Sequence, residues 1–560
     1  MKKIESGLRM ILVVLLLWPF LGNAIEHDSV QLFTNGSIYI DDEKKADNLL
    51  VVNGIVKAIN VSAEQNKDAS IIDLNGSAAY PGFIDSHAHL MESGYFFYVG
   101  ANLIGCNNSD SIASVLAEKA KSIPENGTIL GAGFSLRDYD NWSLDDLAKI
   151  DKVTGNRPAF LGDKLGHNAI INTAAMNLTG LNPEISVPIG GKIGVEDGRL
   201  TGMLRESGMT LPGNKMFAIF DSADIKNGTL PMLKRWASFG YTGAVDLMGG
   251  PGVRFMRPQI FYELEEEGTL PLRINYCYTI FNRSDVDDAA KYRGNDTDMV
   301  RFLGCKIFVD GAFAGGQAWT SWQNLQGNHG LQEIYTDDAI GPEKNLTRIV
   351  ERVEEYGMNM HYHVQGDLAI KAVLDALDEV EAKKGELTGV HTLIHMAFPN
   401  DELIEKIKKF NGHVVATVQP AFWPVEDDTA YYYGKHNAQA YPIKMLIDRG
   451  LSVGISTDFS VSPPEYSPAT MVIGVAATGG GDPKMHLPLS VKDVVHGFTV
   501  GSTATTSRND TGVLYPGHKA DIVVYDQDLY SVPLDKFSKD NPKVLATYVG
   551  GIQAYKAQNC

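Results

Sequence analysis

The 560-residue sequence predicts an α/β protein whose main domain is a (β/α)8 barrel of the TIM type. Short β-rich runs alternate with amphipathic segments through the middle of the chain, a pattern typical of parallel βαβ units. Eight such runs are present, the number that closes a barrel, and further β-rich segments flank them on both sides. The predicted barrel strands are Ala79–Ile84, Tyr241–Val245, Leu272–Tyr278, Gly304–Val309, Asn359–His363, Thr392–His395, Val414–Gln419 and Ser452–Ser456.

The two β-rich flanks, residues 25–78 and 512–560, predict a small β-sandwich domain assembled from both ends of the chain. In the first flank, VQLFTNGSIYI and NLLVVNGIVKAI each contain an Asn-Gly pair, which is typical of tight turns between strands. Residues 79–511 are then predicted to form the barrel. Its first and second strands lie too far apart in sequence for a simple crossover, which predicts an inserted subdomain at about residues 90–239.

The composition excludes several classes of protein. Apolar residues make up 44% of the chain and charged residues 21%, which is ordinary for a folded, soluble protein and not for a disordered or multi-span membrane chain. Lys and Arg number 49 against 68 Asp and Glu, so the formal net charge is −19. This acidic balance argues against nucleic acid or an anionic membrane as the main partner, because both favour a basic face. Homo-oligomerisation stays open.

The N-terminus has the pattern of a secretory signal peptide, which we assign to residues 1–24. Basic residues up to Arg9 precede the apolar run Met10–Leu21, and the small residues Gly22 and Ala24 follow it. The alternative is an uncleaved anchor, but the run is shorter than the roughly 20 residues of a membrane span. We therefore expect an exported protein without stable membrane insertion after cleavage.

Two further features depend on the compartment. An oxidising location permits a disulfide, and among the four cysteines Cys277 and Cys305 form the first pair to test. Asn-x-Ser/Thr sequons are plentiful, and they would carry glycans in a eukaryotic secretory pathway but not in a bacterial periplasm. They include Asn35, Asn60, Asn75, Asn141, Asn177, Asn227, Asn295 and Asn345.

Histidine and carboxylate side chains stand at the ends of several predicted barrel strands. His87 and His89 end the first strand, and residues i and i+2 of a strand point to the same side. His363, His395 and Asp458 end strands five, six and eight. A barrel gathers these strand ends at one mouth, so the set predicts a divalent metal, with zinc favoured over iron, cobalt or manganese. For His363 alone, a hydrogen-bonded core histidine is the alternative.

Lys306 lies inside the fourth predicted strand, where an ammonium group is costly to bury. One explanation is a salt bridge to Asp310. The other is reaction of the amine with CO2, which would give an anionic carbamate able to bridge two metals.

The chain resembles the amidohydrolase superfamily, in the branch that contains N-substituted formamide deformylase. The matching pieces run in order from residue 81 to about residue 526, so they cover nearly all of the mature chain. They are PGFIDSHAHL, GHNAIINTAAM, DGRLTGMLRES, KIFVDGAF, HVQGDLAI, TLIHMAF, ATVQPAF, STDFSVSPP and PGHKADIVVYD.

The resemblance implies a role for each matching residue. Asp458 would be both a metal ligand and the group that takes a proton from the reacting water. His167 would reach the substrate or act as a structural turn residue, and Asp310 would contact the substrate or hold its loop. The implied metal ligands are His87 and His89 with Asp458 for the more buried metal, Lys306 as the carbamate bridge, and His363 and His395 for the second metal.

One departure from the family narrows the reaction. Nucleobase deaminases of this superfamily place Glu three residues after the histidine of strand five, whereas His363 is followed at that position by Gly366. The expected activity is therefore hydrolysis of an amide-type or formamide-type C–N bond in a small molecule by metal-activated water. The alternatives are hydrolysis of an ester, lactone or phosphoester at the same metal site, and a non-catalytic binding protein that kept the fold.

Overall fold

The computed structural model describes residues 29–558, except for 137–140, 165, 189–190, 213–215, 217–221, 248–256, 335–340, 411, 421, 423–425, 459–487 and 538–540. The predicted signal peptide, residues 1–24, and Cys560 lie outside the described residues. Twenty-two strands are described: β1 Val30–Tyr39, β2 Lys45–Val52, β3 Ile55–Ile59, β4 Ser70–Asp73, β5 Ala78–Pro81, β6 Phe83–Ala88, β7 Ala101–Asn102, β8 Ile129–Phe134, β9 Ala159–Asp163, β10 Asn168–Ile171, β11 Lys192–Glu196, β12 Arg199–Arg205, β13 Tyr241–Asp246, β14 Arg273–Thr279, β15 Val300–Phe308, β16 Asn359–Val364, β17 His391–His395, β18 Val414–Val418, β19 Val453–Ile455, β20 Ile522–Tyr525, β21 Val544–Val549 and β22 Ile552–Lys556.

Helices connect these strands and cover the outside of the barrel. In helix Asp367–Lys384, the buried residues Ile370, Val373, Leu377 and Val380 recur every three or four positions, which gives the helix one apolar face toward the sheet. The α-helices are Leu90–Gly94, Ser109–Ala120, Leu144–Thr154, Thr173–Thr179, Ser222–Ser238, Gln259–Glu266, Arg283–Ala289, Pro342–Glu355, Asp367–Lys384, Asp401–Lys408, Glu426–Tyr433, Ile443–Asp448, Val491–His496 and Ser502–Ala504.

The central sheet is a nearly closed barrel of eight parallel strands, which confirms the predicted fold class. Its strands follow the order β6-β13-β14-β15-β16-β17-β18-β19. Hydrogen bonds also connect the first strand to the last one. The Asp458 N–H donates to the His87 carbonyl at 3.0 Å, and the Ser86 hydroxyl donates to the Ile455 carbonyl at 3.2 Å. The ends of β6 and β19 are thereby held next to each other.

The first predicted barrel strand, Ala79–Ile84, is wrong because it joins parts of two strands. β5 pairs with β1 and β20 in a different sheet, whereas β6 opens the barrel. Gly82 separates them, and its N–H donates to the Asp521 carbonyl at 2.8 Å. A Cβ atom at this position would lie 2.1 Å from Thr242 Oγ1, so the close approach of the two sheets requires glycine.

Strands from both chain ends form one mixed sheet of eight strands, where two sheets of a sandwich were predicted. Its order is β22-β21-β20-β5-β1-β2-β3, and β4 pairs with β1. Phe33, Leu49, Ile522 and Tyr548 belong to its apolar core. Arg273 of β14 connects this sheet to the barrel through a buried, two-armed contact with Asp521, with distances of 2.7 and 3.1 Å.

A third sheet lies between β6 and β13 in the chain. Its six strands follow the order β11-β12-β10-β9-β8-β7. Helices of this segment begin at capping side chains: Asn108 accepts the Ser111 N–H, and Ser143 accepts the Asp146 N–H. The long interval between the first two barrel strands therefore folds around a sheet of its own.

The described cysteines are free and buried, so the suggested Cys277–Cys305 bridge is wrong. In the register of β14 and β15, Cys277 pairs with Gly304 and Cys305 pairs with Tyr278. The two thiols therefore alternate to opposite faces of the sheet. Within the described part of the chain, we find no helix with the length and apolar character that crossing a membrane requires.

Candidate metal centre

Four of the predicted ligands lie at the C-terminal ends of barrel strands. His87 is the second-last residue of β6, and His89 directly follows that strand. His363 and His395 are at the ends of β16 and β17. Asp458 comes three residues after β19. His395 and Asp458 have backbone φ angles of 76° and 50°, a left-handed conformation that residues other than glycine seldom adopt.

Asp458 is the carboxylate on which the first histidines converge. Its Oδ1 lies 2.8 Å from His87 Nε2 and 3.4 Å from His89 Nε2, and its Oδ2 lies 3.9 Å from His395 Nδ1. One ligand atom from each of His87, His395 and Asp458 lies within 4.8 Å of the others. The three groups can therefore reach a single ion.

His363 and His395 form the second pair of imidazoles. His395 Nε2 lies 3.0 Å from His363 Nδ1, and the His395 Nδ1 lies 2.7 Å from the Gln419 amide oxygen. The Phe422 ring stacks on His395 with 6.1 Å between ring centroids. Both imidazoles are thus held against the Asp458 side of the mouth.

Lys306 is 1% exposed, in β15 opposite His361 of β16. Burial lowers the pKa of its amine to about 8, although the Asp458 charge opposes the change. Among the described residues its amine has no ion pair, so the suggested salt bridge to Asp310 is not formed; the amine instead lies 4.7 Å from the centre of the Phe308 ring. A buried amine without a counter-ion is compatible with the carbamate alternative.

The protonation states of this cluster suit a divalent cation. Burial lowers the pKa of His87 and His363 well below the ordinary value and lowers the pKa of His395 to about 4, so these three imidazoles are neutral. Burial would also lower the pKa of His89, but the hydrogen bond to Asp458 raises it. Burial would raise the pKa of Asp458, but hydrogen bonds from His87 and His89 hold it well below its usual range. Among the residues that the structure describes, Nδ1 of His87 and Nδ1 of His89 are buried and have no hydrogen-bond partner. Neutral imidazoles, an ionised carboxylate and unpaired buried nitrogens form a donor set that a metal ion of the zinc type fits.

His167 reaches this mouth from the third sheet. Its ring lies 5.8 Å from the His363 ring, and its Nδ1 lies 2.6 Å from Glu206 Oε2. Burial lowers the pKa of His167, but Glu206 outweighs this effect and raises the pKa above its ordinary value. Glu206 is 3% exposed and itself has a φ of 48°. The third sheet therefore places the hydrogen-bonded pair of His167 and Glu206 beside the predicted metal ligands.

Asp310 is placed where it holds a loop. Its carboxylate accepts the N–H groups of Gln365, Gly366 and Trp319 at distances between 2.8 and 3.1 Å. Burial raises the pKa of Asp310 to about 8 in spite of these bonds. Because both oxygens are engaged by backbone donors, the geometry favours the loop-holding alternative over contact with the substrate.

Several side chains around the cluster were not identified from the sequence. Besides Glu206 and Gln419, these include Asp85, which accepts the Thr457 N–H at 3.0 Å and the Thr457 hydroxyl at 2.6 Å and so fixes the loop that carries Asp458. His361 is fully buried beside Lys306, and neither of its ring nitrogens has a hydrogen-bond partner in the described part of the chain. The signal that could have found Asp85, Glu206 and Gln419 is their position inside the matching pieces PGFIDSHAHL, DGRLTGMLRES and ATVQPAF, whereas His361 lies just before HVQGDLAI.

Comparison with known proteins gives a consistent result. Residues 70–555 match the model of the amidohydrolase family. Over 548 residues the chain is 25% identical to the protein LONG AFTER FAR-RED 3 of Arabidopsis thaliana, covering 94% of this chain and 91% of that protein. Over 537 residues it is 22% identical to the N-substituted formamide deformylase of Arthrobacter pascens, covering 91% and 95%.

A solved structure has the same fold. It is an uncharacterized metal-dependent hydrolase from Pyrococcus furiosus, with a TM-score of 0.68 and 23% sequence identity. The superposition covers 90% of this chain and all of that one.

Proposed function

This chain belongs to the amidohydrolase family, and on that premise we propose that it hydrolyses an amide-type or formamide-type C–N bond of a small molecule. Membership of the family implies a hydrolase that depends on a divalent metal. The observation that carries the proposal is the convergence of ligand atoms from His87, His395 and Asp458 within 4.8 Å at the mouth of the barrel. The deformylase named above is a relative whose name specifies such a bond.

Six side chains would hold the metal centre. Zinc is the ion that the histidine-rich set favours, and a carbamate on Lys306 would complete a site for two ions. A divalent metal supplies Lewis-acid activation of both water and the substrate carbonyl. The six are His87, His89, Lys306, His363, His395 and Asp458.

Asp458 would move the proton. Its pKa is held well below the usual range, so the carboxylate is ionised near neutral pH and can accept a proton from the attacking water. Oδ1 is occupied by His87 Nε2 at 2.8 Å, which leaves Oδ2 as the atom that takes the proton. An amine is a poor leaving group until its nitrogen is protonated, and the same Oδ2 can deliver the proton to that nitrogen. This second task distinguishes C–N hydrolysis from cleavage of an ester.

His167 would bind the substrate. Glu206 orients the imidazole through Nδ1, so Nε2 is free to meet a polar group of a substrate held beside His363. The contribution comes from the third sheet, whose loops would thereby take part in substrate selection.

We also propose that residues 1–24 direct the chain out of the cytoplasm. The support is the basic start, the apolar run of about a dozen residues and the small residues after it.

A substrate panel tests the proposal. Zinc-loaded or manganese-loaded protein should release amine from N-substituted formamides or N-acyl amino acids, and Asp458→Asn should abolish that release while the fold is kept. Lactones and phosphotriesters complete the panel. Turnover of phosphotriesters alone would defeat the C–N proposal, and turnover of nothing by a metal-loaded protein would favour the non-catalytic alternative.

A further inference from the structure

Asn-x-Ser/Thr triplets are far more frequent than the composition explains. The chain has 32 asparagines and 58 serines plus threonines among 560 residues, from which about three such triplets would arise by chance. Twelve are present, none with proline in the middle. Their asparagines are Asn35, Asn60, Asn75, Asn107, Asn126, Asn141, Asn177, Asn227, Asn282, Asn295, Asn345 and Asn509.

The fold places these asparagines at the surface. Ten of the twelve are exposed, Asn282 is half-buried, and Asn345 is buried at 2% exposure in helix Pro342–Glu355. They are spread along the chain, in β1, in three helices and in the connections between elements. The triplets are therefore not the by-product of one Asn-rich turn motif.

The other asparagines provide a control inside the same molecule. Sixteen asparagines outside these triplets are described; seven of them are exposed and six are buried. Asparagine in this fold is thus often an internal hydrogen-bonding residue, as at Asn168 and Asn172. The triplet asparagines, in contrast, are mostly exposed. Both their number and their exposure indicate that the triplets serve as surface sites.

We propose that this protein is N-glycosylated at its exposed triplets, which makes it a glycoprotein of a eukaryotic secretory pathway. The donor is an oligosaccharide linked to a lipid diphosphate. The asparagine Nδ2 forms a bond to C1 of the first sugar, the bond from C1 to the diphosphate oxygen breaks, and one amide proton leaves with the lipid diphosphate. The proposal rests on the export proposed above and is independent of the reaction at the metal centre.

The hydrogen bonds of two exposed asparagines are compatible with an attached glycan. Asn35 donates Nδ2–H to Asp73 Oδ1 at 2.7 Å, and a glycosylated amide keeps one N–H for that bond. Asn60 uses its amide oxygen to accept the Asp47 N–H, so its nitrogen is available. Asn345 is different because a sugar on a buried nitrogen would prevent helix Pro342–Glu355 from packing. Occupied exposed sites and an empty Asn345 are therefore expected together.

The test is site mapping on the protein isolated from its own source. A peptide-N-glycosidase acting in ¹⁸O-water converts each glycosylated asparagine to ¹⁸O-labelled aspartate, which peptide mass spectrometry locates. Asn53 is a matched control, since it is exposed and followed by glycine like Asn35 but lies outside any triplet.

We expect label at most of the ten exposed sites, with Asn345 and Asn53 unlabelled. Absence of label at every triplet would overturn the proposal, and so would label at Asn345 equal to that at the exposed sites. Asn60→Gln should increase gel mobility by one glycan, whereas Asn345→Gln should leave it unchanged. Either failure would leave hydrolysis by the metal centre untouched, because Asp458→Asn is scored on turnover alone.

Discussion

Replacing Lys306 by methionine separates the stability of the barrel from its capacity for metal. The lysine is 1% exposed, and burial lowers the pKa of its amine from 10.5 to about 8. At about 1.36 kcal/mol per pKa unit, the buried ammonium destabilises the metal-free fold by about 3 kcal/mol. Methionine fills a similar unbranched volume without a charge, so Lys306→Met should raise the free energy of unfolding by up to this amount.

The sign of the pH dependence follows from the lowered pKa. The folded protein binds the lysine proton more weakly than the unfolded chain, so the destabilisation is complete below pH 8 and disappears above pH 10.5. The advantage of Lys306→Met should therefore be about 3 kcal/mol at pH 7 and only about 1 kcal/mol at pH 9.5.

The assay is urea unfolding of both proteins after removal of metal and CO2, followed by metal content after reloading with zinc and bicarbonate. We expect a higher unfolding midpoint for the variant and a loss of about one metal per chain. A variant that is no more stable at pH 7 would refute the buried ammonium, and unchanged metal content would refute the bridging role.

Three other changes test the site and the barrel. Asp458→Asn should abolish turnover in the substrate assay while circular dichroism and most of the bound metal persist; retained turnover would remove its assigned role. Glu206→Gln weakens a charge-assisted hydrogen bond of about 1.5–3 kcal/mol, so kcat/KM should fall about 10- to 100-fold with little change in Tm. His167→Gln should lower kcat/KM by the same factor, and the double variant Glu206→Gln/His167→Gln should lose no more than either single variant. Additive losses in the double variant would show that the two residues act separately. Burial would raise the pKa of Glu354, but hydrogen bonds led by the one from His391 hold this pKa at about 2. The ionised carboxylate therefore stabilises the fold by about 3 kcal/mol above pH 4.5, and this stabilisation is lost as the pH falls toward 2. Glu354→Gln should lower the unfolding midpoint at pH 7 and make the midpoint fall less steeply in acid, and a variant with the parent's acid profile would contradict this assignment.

The barrel could be predicted because each of its strands is a separate short apolar run with a helix after it. The exception, Ala79–Ile84, shows the limit of that reasoning. β5 and the first two residues of β6 are buried and apolar, so AAYPGFI forms one continuous stretch in the sequence. Only Gly82 marks the boundary, and the need for glycine there comes from Thr242 on another strand.

The metal ligands could be predicted because they stand at strand ends, where the fold class itself brings them together. Glu206 could not be predicted, because its contact with His167 depends on the antiparallel pairing of β10 with β12. In that register Asn168 pairs with Arg205, which places the neighbouring His167 and Glu206 side by side. No local pattern encodes that register. His361 was missed for a different reason: it is two residues before His363 on the same face of β16, one level deeper in the barrel, where the sequence gives no sign of its unpaired nitrogens.

Metal content per chain tests the central claim most directly. The measurement is elemental mass spectrometry of the purified protein without added metal, with turnover and Tm recorded before and after chelation. We predict about two divalent ions per chain, together with loss of turnover on chelation and recovery with zinc or manganese. A chain that contains no metal, and whose turnover and Tm do not rise when either ion is added, would contradict the account.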